Sequence, residues 1–287
     1  MKNKIITKKD VVIPKHNPKS HKGQNGEVLI IGGNEDYIGC LALAGLAALR
    51  TGIDWITIAA PEKVAWAISC LSSDLITKKC KGKYLTMNNY KELMDLVDKH
   101  DAILIGNGIG QKKETKLLIK KLVRNIKKPK VIDADGIKPI SLKNVDNAIL
   151  APHKKEFELL LKNTKMNERD LKRYIKNNVI VRKGVADLII TKDKTFENRT
   201  GNEAMSKAGT GDVLAGLAVG FLAQGLTLKQ SAINAAYING KIGDYLKKKK
   251  GYSFIASDLI QDYDKIVKLK RRNTLGHSYQ RKERHLK

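Results

Sequence analysis

The chain has 287 residues, enough for one large α/β domain or two smaller ones around a substantial core. Its formal net charge is +26 at pH 7, but aromatic residues are only 5% of the sequence, so the aromatic-rich basic surfaces typical of nucleic-acid-binding proteins are not indicated. No apolar run approaches the roughly 20 residues that span a bilayer, and the N-terminus lacks an apolar core of signal-peptide length, so we expect a cytoplasmic protein that binds no membrane.

Short apolar runs alternate with helical stretches along the chain. Strands are predicted at residues 27–31, 55–59, 102–105, 130–132, 148–150, 179–181 and 188–191, and an Ala- and Leu-rich helix at residues 40–50. The strand runs are almost continuously apolar, as expected for strands that are covered on both faces. Their alternation with helices predicts a single α/β domain with a mostly parallel sheet, in which the last strand pairs back as an antiparallel neighbour.

Unusual residues follow the ends of these strands. They are the glycine pair at 32–33, the glycine loop at 106–110, the acids Asp133 and Asp135, His153 and Lys183. Ligands of parallel α/β sheets bind beyond the carboxyl ends of the strands. We therefore expect these residues to form the rim of one active site.

The segment Ala208-Gly209-Thr210-Gly211-Asp212 is the most informative local pattern, because an apolar helical run starts directly after it. A helix that begins among glycines presents unpaired N–H groups and the positive end of its dipole, which attract anions. One interpretation is a phosphate-handling loop with Asp212 as catalytic base. The other is a glycine turn in which Asp212 caps the helix.

The glycine loop at 106–110 also allows a structural and a functional interpretation. The pattern Gly106-x-Gly108-x-Gly110 lacks the further glycine of a dinucleotide fingerprint, since position 111 is glutamine, so a Rossmann hydride-transfer site is rejected. The loop either lets a ligand approach the backbone or makes a tight strand-to-helix turn.

The remaining charged motifs are ambiguous by themselves. Asp133 and Asp135 hold Mg²⁺, orient a basic group or make loop hydrogen bonds. Glu156, three residues after His153, either supports hydrated Mg²⁺ or is a first-turn acid favoured by the helix dipole. His153 is a candidate substrate contact, and Lys183 with the following glycine could present a cation and a bare backbone to a nucleotide.

Taken together, these segments resemble the NAD(P)H-hydrate dehydratase family of the ribokinase-like superfamily. The match runs in family order from about residue 10 to residue 267 and includes residues 22–33, 37–39, 47–52, 105–110, 133–136, 152–157, 183–184, 201–202 and 208–216. Each segment alone is common, but the joint pattern is specific.

The resemblance implies a ribokinase-like three-layer sandwich, with a mostly parallel central sheet and helices on both faces. It also implies repair of hydrated NADH or NADPH: ADP or ATP, with Mg²⁺, phosphorylates the hydroxyl of the hydrate, and elimination of phosphate restores the reduced cofactor. ADP is the expected donor, because prokaryotic-looking members of the family tend to use it. The relatives also imply a homo-oligomer, and nucleic acid is not an expected partner.

Residue roles follow from the resemblance position by position. The implied catalytic residues are Gly209, Thr210, Gly211 and Asp212, with Asp212 as base and the three backbone N–H groups as an anion hole. The implied hydrate contacts are Cys40, Gly108, His153 and Asp212. The implied nucleotide contacts are Lys183, Gly184, Val185, Ala186, Asp187 and Gly211, and Glu156 would bind the metal through water.

The sequence departs from the family pattern at several positions. Cys40 and Val185 stand where alanine is usual, Asn107 where proline is usual and Ala151 where threonine is usual. None of these changes removes a group assigned to the chemistry, although the larger Cys40 bears on the dinucleotide contact. Because the chain begins just before the dehydratase-like part, we expect no fused epimerase domain of the kind that some relatives carry.

Two other functions stay open at the level of sequence. The same loop would serve a ribokinase-like kinase of a vitamin precursor or sugar, although residues 22–33 and 152–156 favour the dehydratase. The net charge motivates a non-catalytic nucleic-acid-binding protein, against which the intact Asp212 loop argues. We expect a dehydratase domain over residues 1–270 and a basic, flexible tail over residues 271–287.

Overall fold

A computed structural model describes residues 3–267 of the chain. The predicted basic tail at 271–287 and the last residues of the predicted 1–270 domain lie outside the described residues. Within residues 3–267, no helix is both long enough and apolar enough to cross a membrane.

The described residues contain one ten-stranded sheet. In chain order its strands are β1 (Lys4–Ile5), β2 (Glu27–Ile31), β3 (Trp55–Pro61), β4 (Ile76–Cys80), β5 (Ala102–Ile105), β6 (Lys130–Ile132), β7 (Ala148–Leu150), β8 (Val179–Arg182), β9 (Asp187–Ile190) and β10 (Thr195–Asn198). Across the sheet the order is β1-β10-β9-β8-β7-β6-β5-β2-β3-β4. The strands from β8 to β4 pair in parallel, and β9 runs antiparallel to both β8 and β10. The predicted mostly parallel sheet with an antiparallel return is confirmed.

Helices cover both faces of this sheet. They are α1 (Gly39–Arg50), α2 (Glu62–Leu71), α3 (Tyr90–Lys99), α4 (Lys113–Asn125), α5 (Lys154–Thr164), α6 (Leu171–Tyr174), α7 (Thr210–Ala223), α8 (Leu228–Lys250), α9 (Ala256–Gln261) and α10 (Tyr263–Val267). Helices α1, α2, α7, α8 and α9 share one buried apolar cluster, and α3, α4 and α5 share a second one. The result is the three-layer α/β arrangement that the sequence predicts.

The central strands supply side chains to both clusters because successive residues of a strand point to opposite faces. In β2, Val28 and Ile30 belong to the cluster with α1 and α7, whereas Leu29 and Ile31 belong to the cluster with α3 and α4. All four side chains are fully buried. Burial on both faces is why these strands read as continuous apolar runs.

Helix α7 lies against α1 and against strands β5 and β6. Gly216 permits this close approach, because a Cβ at that position would lie 2.2 Å from the Ala44 carbonyl oxygen of α1. The first residues of α7 are thereby held beside the loops that follow β5, β6 and β8, at the carboxyl edge of the sheet. That edge is where ligands of open α/β sheets bind.

Candidate active site

Helix α7 begins in the glycine loop that the sequence singles out. Gly209 is the N-cap residue and has a φ of 93°, in the left-handed region that glycine adopts at little cost. The first intrahelical hydrogen bond runs from the Val213 N–H to the Gly209 carbonyl at 3.0 Å. The N–H groups of Gly211 and Asp212 precede that bond and have no acceptor within the helix. With the helix dipole, they make the start of α7 suited to a phosphate group.

Thr210 stabilises this loop through its hydroxyl and its backbone carbonyl. Its hydroxyl oxygen lies 2.9 Å from the Met205 carbonyl oxygen and 3.0 Å from the Lys207 carbonyl oxygen, and its single O–H proton is shared between these two acceptors. Its own carbonyl accepts a hydrogen bond from Asn239 Nδ2 at 3.3 Å. The hydroxyl therefore holds the glycine loop to the preceding turn.

Asp212 is not the cap of α7, because Gly209 takes that position and Asp212 is the third residue of the helix. Its half-buried side chain accepts a hydrogen bond at Oδ1 from Asn107 Nδ2 at 2.6 Å. Burial raises the pKa of Asp212 to about 6; the Asp133 charge adds to this, and Asn107 and Lys183 oppose it. Such a carboxylate is largely ionised at neutral pH and is basic enough to accept a hydroxyl proton.

A chain of polar contacts connects Asp212 to the ends of β5, β6 and β8. Asn107 Nδ2, which donates to Asp212, also donates to Asp133 Oδ2 at 3.1 Å. Asp133 Oδ1 in turn accepts a hydrogen bond from Lys183 Nζ at 2.8 Å. Asn107 is 0% exposed and Asp133 is 2% exposed, so water does not compete for these contacts.

Lys183 places a cation beside the glycine loop. A Cβ on Gly211 would lie 3.4 Å from Lys183 Nζ. Burial opposes the charge on this ammonium, but the carboxylates of Asp133, Glu156 and Asp212 outweigh burial and raise its pKa. Lys183 is therefore protonated at neutral pH and offsets part of the negative charge of the site.

The two acids that follow β6 have different partners. Asp133 pairs with Lys183, as described. Asp135 Oδ2 accepts a hydrogen bond from the Gly110 N–H at 3.0 Å, and its Oδ1 lies 2.7 Å from Lys138 Nζ. Of the interpretations left open by the sequence, orientation of a basic group fits Asp133 and loop hydrogen bonding fits Asp135.

The glycines Gly106 and Gly108, which follow β5, have two different structural roles. Gly106 has a φ of 122°, and a Cβ there would lie 2.2 Å from the Asp133 carbonyl oxygen, so this position belongs to a tight turn packed on the next strand. At Gly108 a Cβ would lie 2.5 Å from Cys40 Sγ and 2.7 Å from the Tyr37 carbonyl oxygen. Gly108 and Cys40, two of the expected hydrate contacts, are therefore neighbours.

Cys40 lies at the start of α1, and its thiol donates a hydrogen bond to the Tyr37 carbonyl at 3.3 Å. Burial raises the pKa of this thiol to about 12, and the charges of Asp212 and Asp135 act in the same direction. Cys40 is therefore a neutral packing group within the field of Asp212 and is not activated as a nucleophile.

His153 and Glu156 form a capping box at the start of α5. His153 Nδ1 accepts hydrogen bonds from the N–H groups of Lys155 and Glu156 at 3.1 and 3.3 Å, which assigns the ring proton to Nε2. That nitrogen lies 3.3 Å from Glu156 Oε1, and Glu156 Oε2 accepts the His153 N–H at 3.0 Å. The His153 side chain is still 52% exposed, so it stays accessible to a ligand.

The fit of Mg²⁺ is limited by the partners of Glu156, whose two carboxylate oxygens both contact His153. Burial raises the pKa of Glu156, and the Asp133 charge adds to this effect. Among residues 3–267, no cluster of three or more His, Cys, Asp or Glu side chains could hold a metal ion. The Glu156 carboxylate therefore fits a Mg²⁺ ion only if nucleotide phosphates and water supply most of the ligands of that ion.

The turn between β8 and β9, residues 183–187, contains the expected nucleotide contacts. The Gly184 N–H donates to Asp187 Oδ1 at 3.2 Å, and Asn198 Nδ2 donates to Asp187 Oδ2 at 3.3 Å. Burial raises the pKa of Asp187, although these two bonds oppose the rise. The Val185 side chain is fully exposed. The Asp187 carboxyl therefore fixes a turn whose tip is open to a ligand.

The structure brings the predicted site residues to one edge of the sheet. Asn107 donates hydrogen bonds to both Asp212 and Asp133, and Lys183 donates one to Asp133. Lys183 Nζ also lies close to Gly211. The roles of these residues as hydrate or nucleotide contacts stay predictions.

Asn107 is a residue of this site that its sequence context did not predict. In the sequence it is only a departure from the family pattern, yet it is fully buried and contacts both Asp133 and Asp212. The sequence does contain a signal for this role, namely a polar side chain between two glycines directly after a buried strand. Such a side chain is expected to be buried, and a buried amide needs hydrogen-bond partners.

This fold, with the start of α7 beside a carboxylate and a lysine, defines an α/β protein of the ribokinase-like class. A ribokinase-like superfamily protein of Enterococcus faecalis superposes with a TM-score of 0.80 at 25% identity, covering 93% of this chain and 95% of that chain. The ADP/ATP-dependent NAD(P)H-hydrate dehydratase of Bacillus subtilis, co-crystallised with ATP and Mg²⁺, superposes with a TM-score of 0.79 at 26% identity, covering 94% and 99%.

Sequence comparison narrows the class to one family. The family model described as NAD(P)H-hydrate dehydratase matches residues 28–265, and the chain belongs to this family. The chain is 36% identical over 263 residues to a bifunctional NAD(P)H-hydrate repair enzyme of Methanothermobacter thermautotrophicus, covering 86% of this chain and 51% of the relative. It spans about half the length of several such curated relatives. It is also 30% identical over 269 residues to the ADP-dependent (S)-NAD(P)H-hydrate dehydratase of Nitrosopumilus maritimus, covering 89% and 93%.

Proposed function

We propose that the chain is an ADP- or ATP-dependent dehydratase that converts hydrated NADH or NADPH back into the reduced cofactor. The observation that carries this proposal is the position of Asp212, whose pKa is about 6, beside the first N–H groups of α7 and the ammonium of Lys183. Phosphoryl transfer requires a base, an anion hole and a cation in one place. The substrate class comes from the relatives, one of which is named for ADP and hydrated NAD(P)H.

In the first step, Asp212 accepts the proton of the hydrate's hydroxyl, and the hydroxyl oxygen attacks the terminal phosphorus of the nucleotide. The bond from that phosphorus to its bridging oxygen breaks, so that ADP leaves as AMP, or ATP leaves as ADP. The N–H groups of Gly209, Gly211 and Asp212 would hold the transferring group, and Lys183 would offset its charge. The Thr210 N–H, which the sequence also assigned to this anion hole, already donates to the Lys207 carbonyl at 3.5 Å.

In the second step, the ring nitrogen expels the phosphate. Its lone pair forms a C=N bond while the C–O bond breaks, and the phosphate leaves with the bonding electrons. Loss of a proton from the neighbouring ring carbon to solvent restores the reduced ring. The first step is needed because hydroxide is a poor leaving group and phosphate is a good one.

The proposal divides the site into two neighbouring subsites. The hydrate would contact Cys40, Gly108 and His153, so that its hydroxyl faces Asp212. The nucleotide would contact residues 183–187 and Gly211. The position of Lys183 Nζ, 3.4 Å from where a Cβ on Gly211 would lie, supports a nucleotide subsite at the start of α7.

Mg²⁺ would be held by the nucleotide phosphates and by water, with Glu156 bonded to its water shell. When bound, it would neutralise charge on the phosphates. A metal that arrives with the nucleotide fits the described residues, because among residues 3–267 no cluster of three or more His, Cys, Asp or Glu side chains could hold one.

One assay tests the proposal directly. The protein is incubated with hydrated NADH, Mg²⁺ and either ADP or ATP, and the absorbance of the reduced nicotinamide is followed. We expect recovery with ADP, with release of AMP and phosphate in equal amounts. A folded protein that restores no absorbance with either nucleotide would falsify the proposal, and parallel runs with hydrated NADPH identify the preferred cofactor.

The second candidate is a ribokinase-like kinase of another small molecule, which the Asp212 loop would also serve. Such a kinase would form a stable phosphorylated product and no free phosphate. Because the dehydratase releases phosphate in proportion to the recovered cofactor, the same reaction mixture separates the two functions.

We further propose that the protein acts in the cytoplasm as a homo-oligomer, with a catalytic domain at 1–270 and a tail at 271–287 that the reaction does not need. The proposal for the tail is supported by the assigned catalytic, hydrate and nucleotide contacts, which lie between positions 40 and 212. Deletion of residues 271–287 should leave turnover unchanged, and sedimentation of the full chain measures its oligomeric state.

A further inference from the structure

Asn107 joins two carboxylates through a single amide nitrogen. Nδ2 donates to Asp212 Oδ1 at 2.6 Å and to Asp133 Oδ2 at 3.1 Å, which uses both of its protons. Within the described residues, the amide oxygen of Asn107 has no hydrogen-bond partner. The opposite orientation of the amide would turn this oxygen towards the two carboxylates, so the contacts fix the position of the nitrogen.

The backbone around Asn107 is held on both sides. The Asn107 carbonyl accepts a hydrogen bond from the Gly33 N–H at 2.9 Å, which ties the loop to the end of β2. Gly32 allows this contact, since a Cβ there would lie 2.4 Å from the same carbonyl oxygen. On the far side, Asp133 is fixed by Lys183 at 2.8 Å. Because Asp133 accepts one proton of the amide, the second proton is directed towards Asp212.

We propose that Asn107 is a positioning residue for Asp212: it holds one carboxylate oxygen and leaves the other directed towards the hydroxyl of the hydrate. This inference rests on the proposed function, since it assumes that Asp212 is the base. A hydrogen bond at one carboxylate oxygen restricts rotation of the carboxylate and so limits the directions open to its second oxygen, and orientation of this kind contributes to catalysis.

The same hydrogen bond influences the charge of the base. The groups that act on Asp212 are Asn107 after β5, Asp133 after β6, Lys183 after β8 and, at the start of α1, the thiol of Cys40. Asn107 and Lys183 favour the ionised form of Asp212, and Asp133 opposes it. Without the amide, Asp212 faces the negative charge of Asp133 directly, so its pKa rises.

The test uses two variants of the full-length protein. Asn107→Leu keeps the branching and the number of heavy atoms of the side chain and removes both donors. Asn107→Ala also removes them, and it leaves space that a water molecule can fill, so it provides a folded variant if leucine is not tolerated. Asn178→Leu is the matched control, because Asn178 is equally buried but bonds to Val145 and Ala148 at the opposite edge of the sheet.

Two readouts are measured for each protein. The first is the pH dependence of kcat/KM with hydrated NADH and ADP. The second is the pH titration of the Asp212 carboxyl carbon by NMR without substrate, assigned by comparison with Asp212→Asn. The NMR titration does not depend on the reaction, so it tests the contact between Asn107 and Asp212 even if the wild type has no dehydratase activity.

We expect Asn107→Leu to move both the acid limb of kcat/KM and the titration of Asp212 upward by about one pH unit. The plateau at high pH should fall about tenfold, because orientation is lost as well as charge. Asn107→Ala should show the same direction with a smaller change. Asn178→Leu should lower the melting temperature and leave the acid limb in place. The inference is wrong if both Asn107 variants fold and keep the wild-type acid limb and titration.

Discussion

Lys183 Nζ lies 2.8 Å from Asp133 Oδ1, with 22% of the lysine side chain and 2% of the aspartate side chain exposed. The acid of this pair is therefore deep in the protein, while the ammonium reaches the edge of the site beside Gly211. Burial of two charges is costly by itself, and it is offset here by their mutual contact and by the hydrogen bond from Asn107 to Asp133. The pair fixes the cation where a phosphate would bind.

Replacing Lys183 should therefore affect both stability and catalysis. Lys183→Met leaves Asp133 charged, buried and without its cation, so we expect a loss of about 3–5 kcal/mol in unfolding free energy, measured by urea denaturation. Turnover and nucleotide affinity should fall together. Lys138→Met is the control, because Lys138 forms a 2.7 Å pair with Asp135 but is 36% exposed, so it should cost less than about 1 kcal/mol. Equal losses in the two variants would contradict a special role for the buried pair.

The proposed role of Asp212 as base predicts a large loss of turnover in Asp212→Asn. The amide keeps the size of the side chain but cannot accept the hydroxyl proton, so kcat should fall at least about a hundredfold. Steady-state kinetics with hydrated NADH and ADP measure this loss. Asp135→Asn removes a nearby carboxylate whose partners are Gly110 and Lys138, and it should keep most of the activity. Near-normal turnover in Asp212→Asn would leave Asp212 as a structural residue.

The raised pKa of Asp212 also predicts a pH-dependent change in stability. Because the folded pKa is raised from 3.8 to about 6, the favourable contribution of the protonated group is complete below pH 3.8 and is lost as the pH rises to about 6. Asp212→Asn is neutral at every pH. At pH 7 the half-buried carboxylate of the wild type is charged, so the unfolding free energy of Asp212→Asn should exceed that of the wild type by about 1–2 kcal/mol. Near pH 4 the two proteins should have similar unfolding free energies. Thermal melts at both pH values measure the difference, and a variant that is less stable than the wild type at pH 7 would contradict the burial cost.

The sequence predicted the central part of the fold because its strands are buried on both faces. The bounds of β5, β6 and β7 agree with the prediction, and β9 is displaced by one residue. The edge strands β1 and β4 escaped detection, since only Cys80 of the residues in β4 is buried and both strand residues of β1 are exposed. An edge strand is defined by its partner strand more than by an apolar pattern of its own.

The site was predicted less completely than the fold. The sequence correctly placed His153, Lys183 and Asp212 at the carboxyl edge of the sheet, because each follows a buried strand or lies at the start of a helix. It did not predict that His153 and Glu156 would cap each other, since a histidine cap has a weaker signal than serine or aspartate. It also missed Asn107, because the distance between residues 107 and 212 in the chain hides a contact that the packing of α7 on β5 creates.

The two glycines at the ends of α7 provide a test of the glycine loop. Gly209 before the helix has a φ of 93°, and Gly225 after it has a φ of 85°, so alanine at either position carries a similar backbone penalty of about 1 kcal/mol. A Cβ at Gly225 meets no heavy atom within 4 Å, whereas one at Gly209 would lie 2.6 Å from Leu43 Cδ1 and 2.7 Å from Ala256 Cβ. Gly209→Ala should therefore cost a further ~1–3 kcal/mol from overpacking.

The two variants Gly209→Ala and Gly225→Ala should differ more in kcat than in unfolding free energy. Relief of the overpacking at Gly209 displaces the N–H groups at the start of α7, so Gly209→Ala should lower kcat by about tenfold to a hundredfold, the scale for a misplaced oxyanion donor or substrate group. Gly225→Ala lies about 20 Å away along the helix axis and should keep the wild-type kcat. Steady-state kinetics at a temperature where both variants are folded measure the difference. Equal kcat values for the two variants would mean that the start of α7 does not hold the transferring phosphate, because the geometry of the loop would then not matter to the reaction.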